Sequence, residues 1–130
     1  MISSTAFDYV NLLDKAADAS WTRESVISQN IANVDTPGYK RQEIDFEAQL
    51  KQALKHFKYT SLDEKVSKLN SSHLNAKIYT DLSNYSYRLD GNNVDIDTEN
   101  VELASEQIKY EAITTSISSE FNRMKEAIGK

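Results

Sequence analysis

Ser28-Gln29-Asn30-Ile31-Ala32-Asn33-Val34-Asp35-Thr36-Pro37-Gly38-Tyr39-Lys40 decides how this chain is read. A helical pattern runs into the stretch and stops at Val34. Pro37 has no backbone N–H, and Thr36 before it is driven out of the α region. Pro37 and Gly38 suit the two central positions of a type II turn, where glycine takes the positive φ. Asn33 and Asp35 bring side-chain oxygens suited to loose helix-end geometry. The stretch predicts a long first helix, a fixed turn, and Tyr39 leaving that turn in a set direction. On turn chemistry alone, a plain helix stop accounts for every residue.

Upstream, from about Asp8 to Val34, Leu13, Ala17, Ser20, Glu24, Ile27, Ile31 and Val34 alternate spacings of three and four, and Val10 and Ala6 extend the row backwards. This is a heptad-like seam with a weak centre, because Ser20 and Glu24 stand where a strong coiled coil carries Leu or Ile. Trp21 lies beside it. Two readings stay open: a helix packed on a core, or a helix that needs several neighbours, since small and polar seam residues suit crowded bundles.

Downstream, Phe46, Leu50, Ala53, Leu54 and Phe57 share one face of a shorter pattern from Ile44 to Phe57, which predicts a short helix folding back on the first. Tyr59 to Asn84 is rich in Ser, Lys, Asn and Asp and reads as mostly loop, with one helical turn around Leu62 to Leu69. Tyr85, Tyr87 and Leu89 alternate with polar residues, Asp90-Gly91-Asn92-Asn93 signals a turn, and Val94 and Ile96 alternate again, so this segment predicts a β-hairpin. Asp97 is expected to cap the last helix, with Glu99 in its first turn and Ile96 and Val101 as a hydrophobic staple. That helix runs to about Ile128. Leu103, Tyr110, Ile117 and Met124 recur every seven residues; Ile113 and Ala127 fall in companion positions, Glu106 and Glu120 interrupt that row, and Ile108, Phe121 and Ile128 widen the stripe. The predicted fold is mainly α: two long terminal helices pairing as an antiparallel coiled-coil-like hairpin, with a short third helix and a small β-hairpin between them. Residues 1–34 plus 99–130 are expected to form a terminal-helix assembly domain, and 35–98 a middle segment.

Composition narrows the function. At 130 residues, with 39% hydrophobic and 27% charged residues, the chain is one domain or less than a self-sufficient one. Three glycines and one proline argue against a many-turned β fold. The net charge of −5, with basic residues spread along the chain, argues against a nucleic-acid surface. Without cysteine there is neither a disulfide framework nor a thiolate metal site, which suits life outside the reducing cytoplasm. The first residues carry no basic and apolar signal pattern, and no apolar run is long enough to span a bilayer.

The sequence carries no recognisable arrangement for catalysis or metal binding. Counted from Asp90, an EF-hand would need glycine at the sixth position, where Asp95 stands, and an oxygen ligand at the fifth, where Val94 stands. His56 and His73 have no neighbour at ligand spacing. Three scattered glycines build no phosphate loop, and no nucleophile–base cluster emerges. No catalytic, cofactor-binding or metal residue is expected, and no cofactor or small-molecule substrate.

Asn30-Ile31-Ala32-Asn33 followed by Thr36-Pro37-Gly38-Tyr39 resembles the N-terminal signature of bacterial flagellar rod and hook proteins. Asp90-Gly91-Asn92-Asn93-Val94-Asp95, then Leu103-Ala104 and Ile108-Lys109-Tyr110-Glu111-Ala112, resembles the C-terminal signature of flagellar basal-body rod proteins. The opening of that second motif is nearest to the proximal-rod members; the sister FlgC type shares its Asn-Val and Tyr-x-Ala elements but not usually this opening. The resemblance covers about Asp8 to Phe46 and Tyr85 to Ile128. It implies a structural subunit of an axial assembly around a central export channel, exported without a cleaved signal by the flagellar type III apparatus. The implied partners are further copies, the FlgC, FlgF and FlgG types of rod protein, the FliE adaptor and the MS-ring. Leu13, Ile27, Ile31, Val34, Leu103, Tyr110, Ile113, Ile117 and Met124 are then expected to make helix contacts within and between subunits. Thr36, Pro37, Gly38 and Tyr39 would set the exit from the inner helix layer, and Asp90 to Asp97 the return to it. The rivals are a FlgC-type subunit, a cytoplasmic helical adaptor or export chaperone, and a small hydrolase of the cell wall.

Overall fold

Two long helices frame the chain. The computed structural model describes residues 4–55, 61–83 and 88–129. In chain order these form α1 (Ser4–Ala32), β1 (Gln42–Asp45), α2 (Glu47–Lys55), α3 (Leu62–Lys68), a 3₁₀ turn (Ser71–His73), β2 (Lys77–Thr80) and α4 (Ile96–Ile128). The helices α1 and α4 pack together and run antiparallel, since Asn30 meets Glu99, Ser20 meets Glu106, and Phe7 shares a hollow with Phe121 and Met124. The mainly helical architecture expected from the heptad rows is the one observed.

α1 uses two faces. Ser20, from the row read in the sequence, meets Glu106 of α4. A second row, one residue out of phase, carries the middle segment: Ala19 and Val26 are buried with Ile44, Phe46 and Leu74, and Leu12, Ala16, Leu50, Ala53, Leu69 and Ala76 pack around them. This row escaped the sequence reading because Ala16 and Ala19 carry little hydrophobic signal and Arg23 interrupts it. Small residues let β1 and α3 approach α1 closely, with Leu50 and Ala53 of α2 covering the cluster from outside, so the core gains close packing rather than large side chains.

The two-stranded antiparallel sheet expected in the middle segment is present, with strands in another place. Gln42 pairs with Thr80, Glu43 with Tyr79, Ile44 with Ile78 and Asp45 with Lys77. Of the expected hairpin at 85–97, Tyr85 and Tyr87 lie outside the described residues, Leu89 sits fully exposed in a turn, and Ile96 already belongs to α4. The backbone around Asp90 to Asn93 pairs with the Pro37-Gly38 turn instead of with itself: Gly38 N donates to Asp90 O at 2.8 Å, and Asn93 N to Tyr39 O at 3.4 Å. Within the described residues 61–83, α3 lies where the helical turn was expected, and the 3₁₀ turn and β2 stand where loop was expected. All four residues of β2 are exposed, so no apolar alternation announced it; its partner strand determines it.

The cap of α4 also differs. Asp95, in extended conformation, accepts hydrogen bonds from the amides of Asp97 (3.0 Å) and Thr98 (3.4 Å). With the cap two residues earlier than expected, Ile96 and Val101 are both exposed and form no staple, while Val94 is buried. Phe46→Ala is expected to lower the unfolding free energy by about 3–5 kcal/mol and Leu82→Ala, at 76% exposure, by less than about 0.5, read from denaturant titrations.

Candidate functional site

The two motif segments, far apart in sequence, form one clasp at the shared end of α1 and α4. After Ala32 the chain tightens: Asn33 N donates to Gln29 O and Asn30 O, and Val34 N to Ile31 O. Tyr39 N then closes on Thr36 O at 3.2 Å across Pro37 and Gly38, with Gly38 at φ 72°, which is the type II turn read from the sequence. Asn92 adds a donor shared by the carbonyls of this turn: its side-chain amide lies 2.8 Å from Asn33 O, 2.9 Å from Val34 O and 2.9 Å from Thr36 O. Its Oδ1 accepts from Val94 N at 2.8 Å, and the residue is 1% exposed. Arg88 adds a guanidinium bond to Val34 O. The helix is thus capped by a residue from the far motif.

The clasp is closed from both sides. Lys40 Nζ donates to Gly91 O at 2.7 Å, and Arg41 N to Asn93 Oδ1 at 2.7 Å. Asp90 Oδ1 accepts from Asn92 N, and Gly91 takes φ 78° in the turn begun by Arg88. A Cβ on Gly91 would stand 3.9 Å from Gly38 Cα, and one on Gly38 would meet nothing within 4 Å. Both glycines are therefore required by φ rather than by space. Asp90 and Asp95 spend their carboxylates on backbone amides and Arg88, and among the described residues no group of three or more His, Asp or Glu could hold a metal ion. His73 is exposed in the 3₁₀ turn, and His56 lies outside the described residues.

Below the clasp, Asn30 is fully buried and uses its whole amide. It donates to Gln42 O (2.8 Å) and Glu99 Oε2 (3.1 Å) and accepts from Gln42 N (2.9 Å) and the Tyr39 hydroxyl (3.1 Å). It thereby satisfies both backbone groups of the first residue of β1 as a strand would. Glu99, 1% exposed, also takes Arg41 Nε at 2.8 Å, and Arg41 reaches on to Glu43 and Glu102. Burial by itself would lower the Arg41 pKa; Glu99, Glu102 and Glu43 outweigh it and raise it. Burial raises the pKa of Glu102, the like charge of Glu99 adding to it.

One heptad further along α4, Glu106 repeats the device. It accepts from Ser20 Oγ at 2.6 Å and from Arg23 at 3.2 Å, and Arg23 also grips Glu47 at 2.7 Å. Lys109 bonds to Glu47 as well. The hydrogen bonds from Arg23, followed by those from Lys109, hold the Glu47 carboxyl down to about 2. Ser20 and Glu106, which look like flaws in two apolar seams, are thus partners. Glu99 lies in the first turn of α4 as expected, and it is buried there. A charge that a heptad row turns to the interior must find its counter-charge there, which is the signal that would have paired Glu106 with Arg23.

The expected helix-contact residues all face inward to some degree. Ile27 and Met124 are buried, and Leu13, Ile31, Val34, Leu103, Tyr110, Ile113 and Ile117 are partly covered. The large apolar residues of α4 left exposed are Ile96, Val101, Ile108, Phe121 and Ile128.

With both motifs locked in one clasp, comparison with known proteins is direct. A family described as "Flagella basal body rod protein" matches residues 16–40, the second half of α1 and the Pro37-Gly38 turn. The chain is 34% identical over 113 residues to the flagellar basal body rod protein FlgB of Bacillus subtilis, covering 87% of each. This chain belongs to the flagellar basal body rod protein family. It is also 35% identical to FlgB of Borrelia hermsii over 81% of this chain and 84% of that one, and 30% identical to FlgB of Escherichia coli over 78% and 79%. The family is one of structural parts of the basal body rod, and among the described residues no helix is long and apolar enough to cross a membrane.

Two outcomes follow from this geometry. Asn92→Ala is expected to cost about 2 kcal/mol, because it strands the buried Val94 N–H and removes the donor shared by three carbonyls, and Asn92→Asp more, because it brings a carboxylate against those carbonyls; thermal unfolding by circular dichroism measures both. Because the folded Glu47 pKa lies below its ordinary 4.5, its stabilisation is present in full above that pH and is lost as pH falls toward about 2. Glu47→Gln is expected to flatten that part of the stability–pH curve, measured by denaturant midpoints between pH 5 and 2.

Proposed function

We propose that this chain is a subunit of the proximal rod, polymerising through its terminal helices around the export channel and carrying torque along the rod. The supporting observation is the clasp: the two segments that resemble rod signatures form one interlocked unit, and it sets α1 beside α4. In this reading residues 1–34 with 99–130 form the assembling part, and 35–98 braces it. Leu13, Ile31, Val34, Leu103, Tyr110, Ile113 and Ile117, partly covered within the chain, complete their burial between subunits, while Ile27 and Met124 hold the pair itself. The partners are further copies, the FlgC, FlgF and FlgG rod types, the FliE adaptor and the MS-ring. The chain reaches them through the type III export apparatus with no cleaved signal, and performs no catalysis.

Buried polar layers at Glu99 and Glu106 suit a part that must assemble in one register. They stabilise less than apolar packing would, yet any slip of α4 along α1 strands a buried charge, at a cost of about 3–5 kcal/mol. Long helices with exposed Val101, Ile108, Phe121 and Ile128 offer faces to lateral neighbours.

The test is Gly38→Val in a motile strain that carries this chain. At φ 72° a β-branched residue is strained although its Cβ meets nothing, so the turn and the clasp are disfavoured. Purified basal bodies are expected to lack the variant chain and cells to be non-motile, with Gly38→Asn milder because Asn tolerates positive φ. Normal motility with Gly38→Val would sink the assembly role of the clasp. Absence of the unaltered chain from basal bodies would return the adaptor reading.

A further inference from the structure

The charges of this acidic chain are unevenly placed. Residues 48–80 hold six lysines against two acids, whereas the rest of the chain holds nine basic and eighteen acidic residues. The fold gathers part of the basic set. Between α2 and α3 lies a hollow of about 740 Å³, lined by Leu50, Leu54 and Glu47, whose carboxylate is held by Arg23 and Lys109, and rimmed by Lys51, Lys55 and Lys65. Among the described residues, none of the rim lysines has a carboxylate partner.

The opposite side of the molecule carries a complementary feature. Trp21, the one tryptophan of the chain, is 65% exposed on α1. It stands nine residues from Leu12, hence about 180° around the helix from the row that carries α2 and the core. Asp18 and Asp14, three and seven residues earlier, share its face and are exposed; among the described residues neither has a cationic partner. An exposed indole flanked by unpaired carboxylates is a costly surface for a free chain, and an apolar hollow with a cationic rim matches it in size, polarity and charge.

We propose that Trp21 of one copy seats in the α2–α3 hollow of the next, its indole on Leu50 and Leu54, with Asp14 and Asp18 facing Lys51, Lys55 and Lys65. The contact rests on the rod-subunit reading and adds a specific bond between neighbours outside the α1–α4 pair. Knob and hollow occupy opposite sides of each copy, so the contact is head-to-tail and propagates from copy to copy, closing into a ring or continuing as a helix. Its ionic rim makes it weaken as salt rises.

The absence of cysteine provides the test. Two differently tagged forms of the full chain, one with Trp21→Cys and one with Leu54→Cys, are expressed together in flagellated cells, and basal bodies are isolated and treated with a mild oxidant. A disulfide between the two tags is expected, and none when Ser119→Cys replaces Trp21→Cys. Assembled rods that contain both chains without this cross-link would overturn the contact while leaving the rod reading intact. Capture of Leu54→Cys by a different protein would overturn it in favour of that partner. Basal bodies without either chain, for singly tagged unaltered protein as well, would remove the rod reading and this contact with it. In purified chain at assembling concentration, Trp21 emission is expected to shift to the blue, and Lys51→Glu with Lys55→Glu to abolish the shift and weaken self-association roughly thirtyfold. Restoration by Asp14→Lys with Asp18→Lys would distinguish paired charges from misfolding, and failure of that restoration in folded protein would overturn the ionic rim.

Discussion

The carbonyl end of α1 is only partly satisfied by its own next residues: Thr36 N serves Asn33 O and Tyr39 N serves Thr36 O, but Val34 O takes side-chain donors from Arg88 and Asn92, because Pro37 lacks an N–H and the turn sends the chain away. Asn92, 59 residues from Asn33, supplies the donor, and the structure around it follows from that single requirement. For Asn92 to reach three carbonyls, the Asp90–Asn93 segment must lie against the Pro37-Gly38 turn. Once it does, Asp95 opens α4 beside α1, and the antiparallel direction of the pair is settled. The glycines at 38 and 91 serve the same end, since each permits the backbone to turn where the two segments approach.

The second dependence is electrostatic. Glu99 and Glu106 are turned inward on α4 at heptad spacing, and each meets an arginine and a neutral side chain from elsewhere: Arg41 with Asn30, Arg23 with Ser20. Desolvating four charges costs several kcal/mol per ion, and the pairing and hydrogen bonds offset that cost without a large surplus. What these layers contribute is register. The α1–α4 interface has modest apolar content, and a purely apolar seam of Ala, Leu and Ile would tolerate sliding.

The α1–α4 pair and the middle segment share α1, with different faces. One face holds α4 through polar layers and partly covered apolar residues; the other holds β1, α3 and the Leu74 region through close packing of small residues. The third face leaves Trp21, Asp14 and Asp18 exposed. A helix with three such faces belongs in a crowded assembly, which reconciles the two readings of its weak seam.

The sequence by itself determined the long terminal helices, the type II turn at Pro37-Gly38 and the short α2, because each depends on local periodicity or local φ/ψ restriction. It also marked Asn30, Asn33, Asn92 and Asn93 as a pattern, without saying what their amides do. Tertiary structure alone decided that Asn30 stands in for a strand, that Asn92 caps a distant helix, and that β2 lies at Lys77–Thr80. It likewise placed the cap of α4 at Asp95 and assigned the core row to Leu12, Ala16, Ala19 and Val26. The reason is common to all of these. A buried amide or carboxylate, or a strand with no buried face, takes its partner from chain far away, and short-range spacing carries no record of that partner.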